Sequence, residues 1–569
     1  MKKYNLNQIG FKLIVLTIAV LGLQACKKYP NPPTFNEELD NTVVPSRRVI
    51  VISIDGVTGS ELKTIAPPTI SALLPTSKYS FTTFKSAVAT DAATWTSMVT
   101  GVPYTKHLVS ADDFQPTTDP NSGEHDAVPL RRNVLDYIMS GIGTKTAFIS
   151  PWANLRNYVK VADYRPIVNT DLAAKDSTIA LLSKYEGIGA TIVNFREAEA
   201  AGANGGYVAS NVAYKDAILK ADGYIDEIIK AIKARKTFSK EEWLFIITSN
   251  HGGSSDNPTN GFLVINNPDL KSFELKKVGF NTPRYNSTSI GAKVSSDNGL
   301  YDSGATGSFT VQMQTKFNNT TTYYPIFLSK SSVIAGTVQT GWAWFQQDGS
   351  RWGTSFGGSA NGSGVGRQQV IGGSIADGKW HTLTMTVKYV NATTRTVSTY
   401  TDGVLNNTGN ITTHKSLSTL EPLTIGYKTF AGGSLDYYGV NLQYFDVALD
   451  QSVIQSNLDL KDITKHPNYS ALKGFWKMDE GAEGSFQNLA PVGYNMNLYG
   501  AYAWTPLGSD APSQSTFEGT TGYSLAPAAA DIGALMMYWT KTKIDPVFDI
   551  TGKPFLKDFE VEFLKKSPR

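Results

Sequence analysis

Arg48-Val49-Ile50-Val51-Ile52-Ser53-Ile54-Asp55-Gly56 is a nearly continuous β-branched run that ends in Asp-Gly. A strand buried on both faces reads this way, because neither side needs polar residues. Similar runs recur at Lys145 to Ser150, Ala190 to Phe195 and Trp243 to Ser249. Helical patterns lie between them. In Asn211 to Arg235, residues Tyr214, Ile218, Ala221, Ile225, Ile228 and Ile232 keep one apolar face. Buried strands alternating with helices predict an α/β domain with a parallel sheet. Functional residues of such sheets collect at the carboxyl ends of strands, where Asp55 and Asn250-His251-Gly252 stand.

Outward from this core the texture changes near Tyr285. From there to about Trp504 polar and apolar residues alternate, with Gly, Asn and Asp turns and no long helical pattern; Phe309 to Phe317 and Thr382 to Lys388 read as strands. Helical character returns over Tyr523 to Met537. An α/β domain that stops, admits a β domain and resumes is an insertion, of the kind exposed loops tolerate. The expected boundaries are 46–284 and 506–569 for the two parts of the α/β domain and 285–505 for the insert. A chain of 569 residues fits this division, since it calls for roughly two to four domains. The formal net charge is +3 and no strongly basic patch is visible, so a nucleic-acid partner is not expected.

The amino terminus has the order of a secretory signal: Met1-Lys2-Lys3 and Lys12 supply positive charge, and Leu13 to Leu23 is a short apolar run. Leu23-Gln24-Ala25-Cys26 follows, and Cys26 is the only cysteine in the chain. This resembles a lipobox, the bacterial site of diacylglyceryl attachment. Residues 1–26 are therefore expected to be a lipoprotein signal peptide, and residues 27–45, rich in Lys, Pro, Asn and Glu, a flexible tether. The expected location is a bacterial membrane, reached by export and held through lipid on Cys26, at the outer membrane on its periplasmic or cell-surface face.

Several motifs resemble the alkaline phosphatase superfamily, and within it the type I phosphodiesterases and nucleotide pyrophosphatases. Val49 to Gly56 resembles the opening strand whose terminal aspartate binds a metal, the position of Asp55. Thr94 to Gly101 resembles the helix ending in Ser-x-x-Thr-Gly that follows the nucleophile, and Val102-Pro103 to His107 its continuation. Ser249-Asn250-His251-Gly252-Gly253 resembles the Asp-His-Gly motif, and Ser524 to Gly533 the late helix. The resemblance implies an α/β/α sandwich and a hydrolase in which two divalent metals flank a phosphoryl or sulfuryl group attacked by a Thr or Ser oxygen.

Departures from this pattern fall on the chemistry. The nucleophile position, counted back from Gly101, is Asp91, with Thr90 and Thr94 as neighbouring hydroxyls. Glu199-Ala200-Ala201-Gly202-Ala203 stands where the family has Asp-x-x-Gly-His, so Ala203 replaces a histidine. The later histidines His381, His414 and His466 all lie in the β insert or at its edge. One metal site thus keeps at most Glu199. The other keeps Asp55, Asp91, Asn250 and His251, three oxygen donors and one nitrogen, a set suited to one Ca²⁺, Mg²⁺ or Zn²⁺. His107 is expected to be structural, and His125, between Glu124 and Asp126, solvated.

The insert resembles a LamG or concanavalin A-like jelly-roll sandwich. Ser308 to Met313 matches its opening strand, Ile375-Ala376-Asp377-Gly378-Lys379-Trp380-His381-Thr382-Leu383 its Asp-Gly-Lys-Trp-His motif, and Asp436 to Leu449 its closing segment. The resemblance implies a glycan or protein ligand. Trp342, Trp344 and Trp352 are candidate sugar platforms, while Trp380 and His381 read as structural. The expectation is an exported surface lipoprotein with lost or impaired hydrolase activity that binds a glycan or protein. The alternative is an active metal-dependent phosphodiesterase, phosphatase or sulfatase with a rewritten single-metal site.

Overall fold

A computed structural model describes residues 47–117, 128–319, 324–334, 337–347, 350–357, 367–428 and 433–563. Cys26, the signal peptide, the tether and His125 lie outside the described residues. No helix among the described residues is long and apolar enough to cross a membrane.

Seven strands form the sheet of the α/β domain: β1 (Arg47–Ile54), β2 (Ser77–Ser80), β3 (Lys145–Ile149), β4 (Ile188–Phe195), β5 (Glu242–Thr248), β6 (Leu263–Asn266) and β7 (Phe273–Glu274), in the order β3-β4-β1-β5-β6-β2-β7. β1 pairs in parallel with β4 and β5, while β6 runs antiparallel to β5 and to β2. The two-residue strand period sorts β1 between two cores. Val49 and Val51 face one, with Met98, Leu535 and Trp539; Ile50, Ile52 and Ile54 face the other, with Ile218, Ile225 and Ile232. Both faces of the sheet are therefore covered, giving an α/β/α sandwich.

Three helices matter for the site: α1 (Asp91–Thr100), α2 (Asp171–Lys184) and α3 (Glu197–Ala203). A fourth, α4 (Val212–Lys233), buries all six residues of the apolar face read from sequence. The last, α5 (Ala529–Trp539), brings the chain's carboxyl-terminal part back onto the domain. Trp539 is fully buried there, and its Nε1 donates to the Arg48 carbonyl at 2.9 Å. Helical character expected from Tyr523 begins only at Ala529. Pro527 has no N–H and biases the residue before it toward extended backbone, which delays the helix. Asp531 then accepts the Ala528 N–H at 2.9 Å to cap it.

Between β7 and α5 lies the sandwich, with an eight-stranded and a six-stranded sheet among the described residues. Phe309–Phe317 is central to the second sheet, between Trp380–Asn391 and Tyr437–Phe445. Entry and exit of the insert run side by side, since Phe280–Pro283 pairs antiparallel with Trp504–Gly508.

The structure corrects the reading of the three tryptophans. Trp342, Trp344 and Trp352 are at most 2% exposed and lie in the sandwich core. Trp342 and Trp344 are two apart on one strand and so face the same way, inward. Trp352 packs on Trp344 at 4.8 Å between ring centroids, and its Nε1 donates to Thr401 Oγ1 at 2.9 Å. No ring face is left for a sugar. His381 bridges two turns, with Nδ1 2.7 Å from Asp402 and Nε2 3.0 Å from Asp377. Trp380 is half-buried against the core and donates to Asp510 at 2.9 Å.

Candidate functional site

Asp55 directly follows β1, Arg196 directly follows β4, and Asn250 and His251 stand just beyond β5. Parallel pairing brings these three strand ends together, and α1 delivers Asp91 at its first turn. Gly56 closes the corner with φ +74°, and a Cβ there would stand 2.9 Å from Glu199 Cα. Only glycine allows both the left-handed backbone and this approach of α3.

Asp55, Asp91, Asn250, His251 and Glu199 therefore converge, but around an arginine. Arg196 Nη2 donates to Asp91 Oδ2 at 2.7 Å and to Glu199 Oε2 at 2.6 Å. Its guanidinium carbon stands 4.4 Å from the centre of the Trp152 ring. The backbone N–H groups of Arg196 and Glu197 donate to the Asp171 carboxylate at 2.9–3.0 Å, which ties the start of α3 to α2. The other oxygen of Asp91 takes Asn250 Nδ2 at 2.8 Å and His251 Nε2 at 2.7 Å. Asp55 is fully buried. One oxygen takes the Ser53 hydroxyl at 2.6 Å, and the other takes Trp95 Nε1 at 2.9 Å and Asn194 Nδ2 at 2.8 Å.

The electrostatics follow from this packing. Burial raises the Asp55 carboxyl, and the Arg196 charge opposes the rise. Burial likewise works to raise Asp91, but hydrogen bonds from His251 and Glu199, together with Arg196, hold it well below the usual carboxylate range. Burial, then the Asp55 and Asp91 charges, push Glu199 up to about 9, so it keeps its proton at neutral pH. One ionised carboxylate, one guanidinium and one neutral acid thus share the centre, a balance that limits the cost of burying charge.

This arrangement does not fit a divalent cation. Both Asp91 oxygens and both Asp55 oxygens are engaged by donors, and a permanent cation stands between Asp91 and Glu199. Among the described residues no group of three His, Cys, Asp or Glu side chains is disposed to hold an ion. The set read from sequence as ligands is brought together, with a guanidinium at its centre.

The candidate nucleophiles are also engaged or enclosed. Thr90 is the N-cap of α1; its oxygen accepts the Ala93 N–H at 3.2 Å and its hydroxyl donates to the Ser110 carbonyl at 2.8 Å. Thr94 is buried and lines, with Ser97, Asn250 and His251, a cavity of about 10 Å³, room for about one water. Glu483 of the sandwich lines the same cavity. His107 is structural. Its Nδ1 accepts the Val109 N–H at 3.0 Å, its Nε2 faces Ser97 Oγ at 3.0 Å, and burial lowers its pKa to about 3. Ala203 is exposed.

Sequence reasoning missed Arg196, Asn194, Trp95 and Asp171. A signal existed for the first two: both stand at the carboxyl end of a buried strand, where site residues of parallel sheets gather.

Residues 49–270 match the family model described as type I phosphodiesterase / nucleotide pyrophosphatase. Residues 287–456 match the concanavalin A-like lectin/glucanases superfamily. No curated protein matches the chain. Among solved structures, a 2-O GAG sulfatase is similar at 12% identity and TM-score 0.31, over 40% of this chain and 65% of the sulfatase. Murine ectonucleotide pyrophosphatase / phosphodiesterase 5 is similar at 17% identity and TM-score 0.30, over 36% of this chain and 57% of that protein. The binding domain of botulinum neurotoxin DC is similar at 15% identity and TM-score 0.22, over 28% of this chain and 35% of that one. The chain thus carries an alkaline phosphatase-superfamily domain of the type I phosphodiesterase / nucleotide pyrophosphatase kind, followed within the same polypeptide by a LamG/concanavalin A-like domain.

Proposed function

We propose that this chain is an exported lipoprotein, anchored through Cys26, whose phosphodiesterase-like domain no longer hydrolyses esters and serves as the scaffold of a surface binding protein. The ligand is a glycan or a protein. The observation that carries this reading is Arg196 between Asp91 and Glu199. Ester hydrolysis in this fold needs metal charge on the entering and leaving oxygens. A guanidinium already paired to a carboxylate supplies neither an open coordination position nor an activated nucleophile.

The test is turnover of aryl phosphate monoesters, diesters and sulfates by purified protein supplied with Zn²⁺, Mg²⁺ or Ca²⁺. The expected result is no release above a protein-free control. Turnover abolished by both Asp91→Ala and Asp55→Ala would overturn the reading and favour a hydrolase with a rewritten single-metal site.

A further inference from the structure

A cleft of about 610 Å³ opens at the seam between the α/β domain and the sandwich. Its walls come from both domains: the two parts of the α/β domain give Phe84, Lys85, Lys276 and Phe517, and the sandwich gives Glu480 and Gln487. Seams between domains are where ligand pockets concentrate, and this volume lies within the range of about 300–1,000 Å³ typical of small-molecule sites. It is far larger than a lone anion needs.

The charges on these walls are unevenly paired. Lys63 stands 3.9 Å from Glu274, and Lys277 stands 3.8 Å from Asp479. Lys85 and Lys276, by contrast, have no carboxylate within ion-pair distance among the described residues. Lys85 is half-buried, and burial lowers its pKa, the mark of an ammonium short of water and of a partner. An anionic group on a ligand would relieve that deficit.

A buried polar atom also points to an occupant. Glu480 Oε1 accepts the Gln487 N–H at 3.0 Å, but its Oε2 is buried without a partner among the described residues. Such orphans are rare in folded proteins. Burial pushes Glu480 up to about 8, so it is mostly neutral at pH 7 and offers a hydroxyl donor that does not repel an anion. Phe517 is exposed at the rim and supplies the apolar face that a sugar ring covers. Asn260, Thr516 and Glu518 are exposed around it and suit sugar hydroxyls.

We propose that this cleft binds an acidic oligosaccharide, one whose sugars carry carboxylate or sulfate groups, with Lys85 and Lys276 facing the charges. The proposal rests on the reading of the chain as a binding protein and names its ligand class and site.

The test is calorimetric titration of the full chain with trigalacturonic acid, a heparin-derived tetrasaccharide, neutral cellotriose and inorganic sulfate. At least one acidic oligosaccharide should bind at least about tenfold more tightly than cellotriose and sulfate, a gap of about 1.4 kcal/mol. Binding of the first alone identifies carboxylate, and of the second alone sulfate. Lys85→Gln/Lys276→Gln should weaken binding by at least about tenfold, while Lys388→Gln, on the far part of the sandwich, should not. If the double variant melts abnormally, Lys276→Gln alone decides the matter. No binding of either acid at millimolar concentration, equal binding of cellotriose, or full binding by a normally melting lysine variant would overturn the proposal. Release of the phenol from the aryl phosphate mono- and diesters and sulfates, measured on the same samples, separates the two readings: release refutes the loss of hydrolysis and leaves the cleft standing.

Discussion

Arg196 Nη2 lies 2.7 Å from Asp91 Oδ2, at the junction where β4 passes into α3 and α1 begins. The two residues are 105 positions apart in sequence and meet because β1, flanked by β4 and β5, aligns the strand ends. Their pairing sets a positive charge against the ionised Asp91 carboxylate in a cluster that also holds Asp55 and the protonated Glu199.

Removal of that charge should therefore be costly. Arg196→Ala should destabilise the α/β domain by about 3–5 kcal/mol, the range for breaking a buried pair. Arg196→Lys should recover only part of this, since an ammonium is a compact point charge, less suited than a planar guanidinium to reaching two carboxyls together. Urea unfolding reads both. A change within about 0.5 kcal/mol for the alanine variant, typical of surface sites, would show that the pair is incidental.

Asp55 offers a second test of the same network. Asp55→Ala removes the acceptor of Trp95 Nε1 and Asn194 Nδ2 and leaves both buried donors unsatisfied. The expected cost is about 1–3 kcal/mol, read as a lower midpoint in thermal unfolding.

Glu480 predicts a pH dependence. Its folded pKa is about 8 against an ordinary 4.5. The folded state therefore binds more protons between these values. Stability associated with this group is full below about pH 4.5 and is lost as pH rises through about 8. Glu480→Gln should raise the melting temperature more at pH 8 than at pH 5. An equal effect at both pH values would contradict the assignment.

Trp344 should behave as a core residue. Trp344→Ala should destabilise the sandwich by about 3–5 kcal/mol, measured by denaturant unfolding. A loss below about 1 kcal/mol would return it to the surface.

The proposed lipid anchor predicts a fractionation result. Cys26→Ala should move the exported chain from the membrane fraction to the soluble fraction, because a lipid chain, not a spanning helix, would hold it there. Retention in the membrane fraction would contradict the anchor.

Much of the scaffold was legible in the sequence because its signals are local. β1 and its neighbours are uninterrupted apolar runs, and α4 repeats its buried face along its length. The strand-end rule also placed Asp55, Asn250 and His251 correctly at one end of the sheet. Arg196 stands at the same strand end, but its role was not legible there. A lone arginine before Glu197 and Glu199 reads as part of a solvated helix start, and its partner Asp91 comes from a distant segment. The tryptophans misled because glycines and serines around Trp342 and Trp352 give the stretch a loop-like texture. Strand pairing of Thr337–Gln347 with Ile326–Ile334 and Arg351–Phe356 turns the same residues inward. The seam cleft was beyond sequence reasoning, since its walls join segments hundreds of residues apart.

Under the proposed function, Arg196 stands where a divalent ion would have to sit between Asp91 and Glu199. Inductively coupled plasma mass spectrometry tests it most directly, on wild-type protein and Arg196→Ala, each dialysed against Zn²⁺, Mg²⁺ and Ca²⁺ and then against buffer. The expected result is no stoichiometric ion in the wild type. A stoichiometric divalent ion retained by the wild type and lost in Asp55→Ala and Asp91→Ala would contradict it.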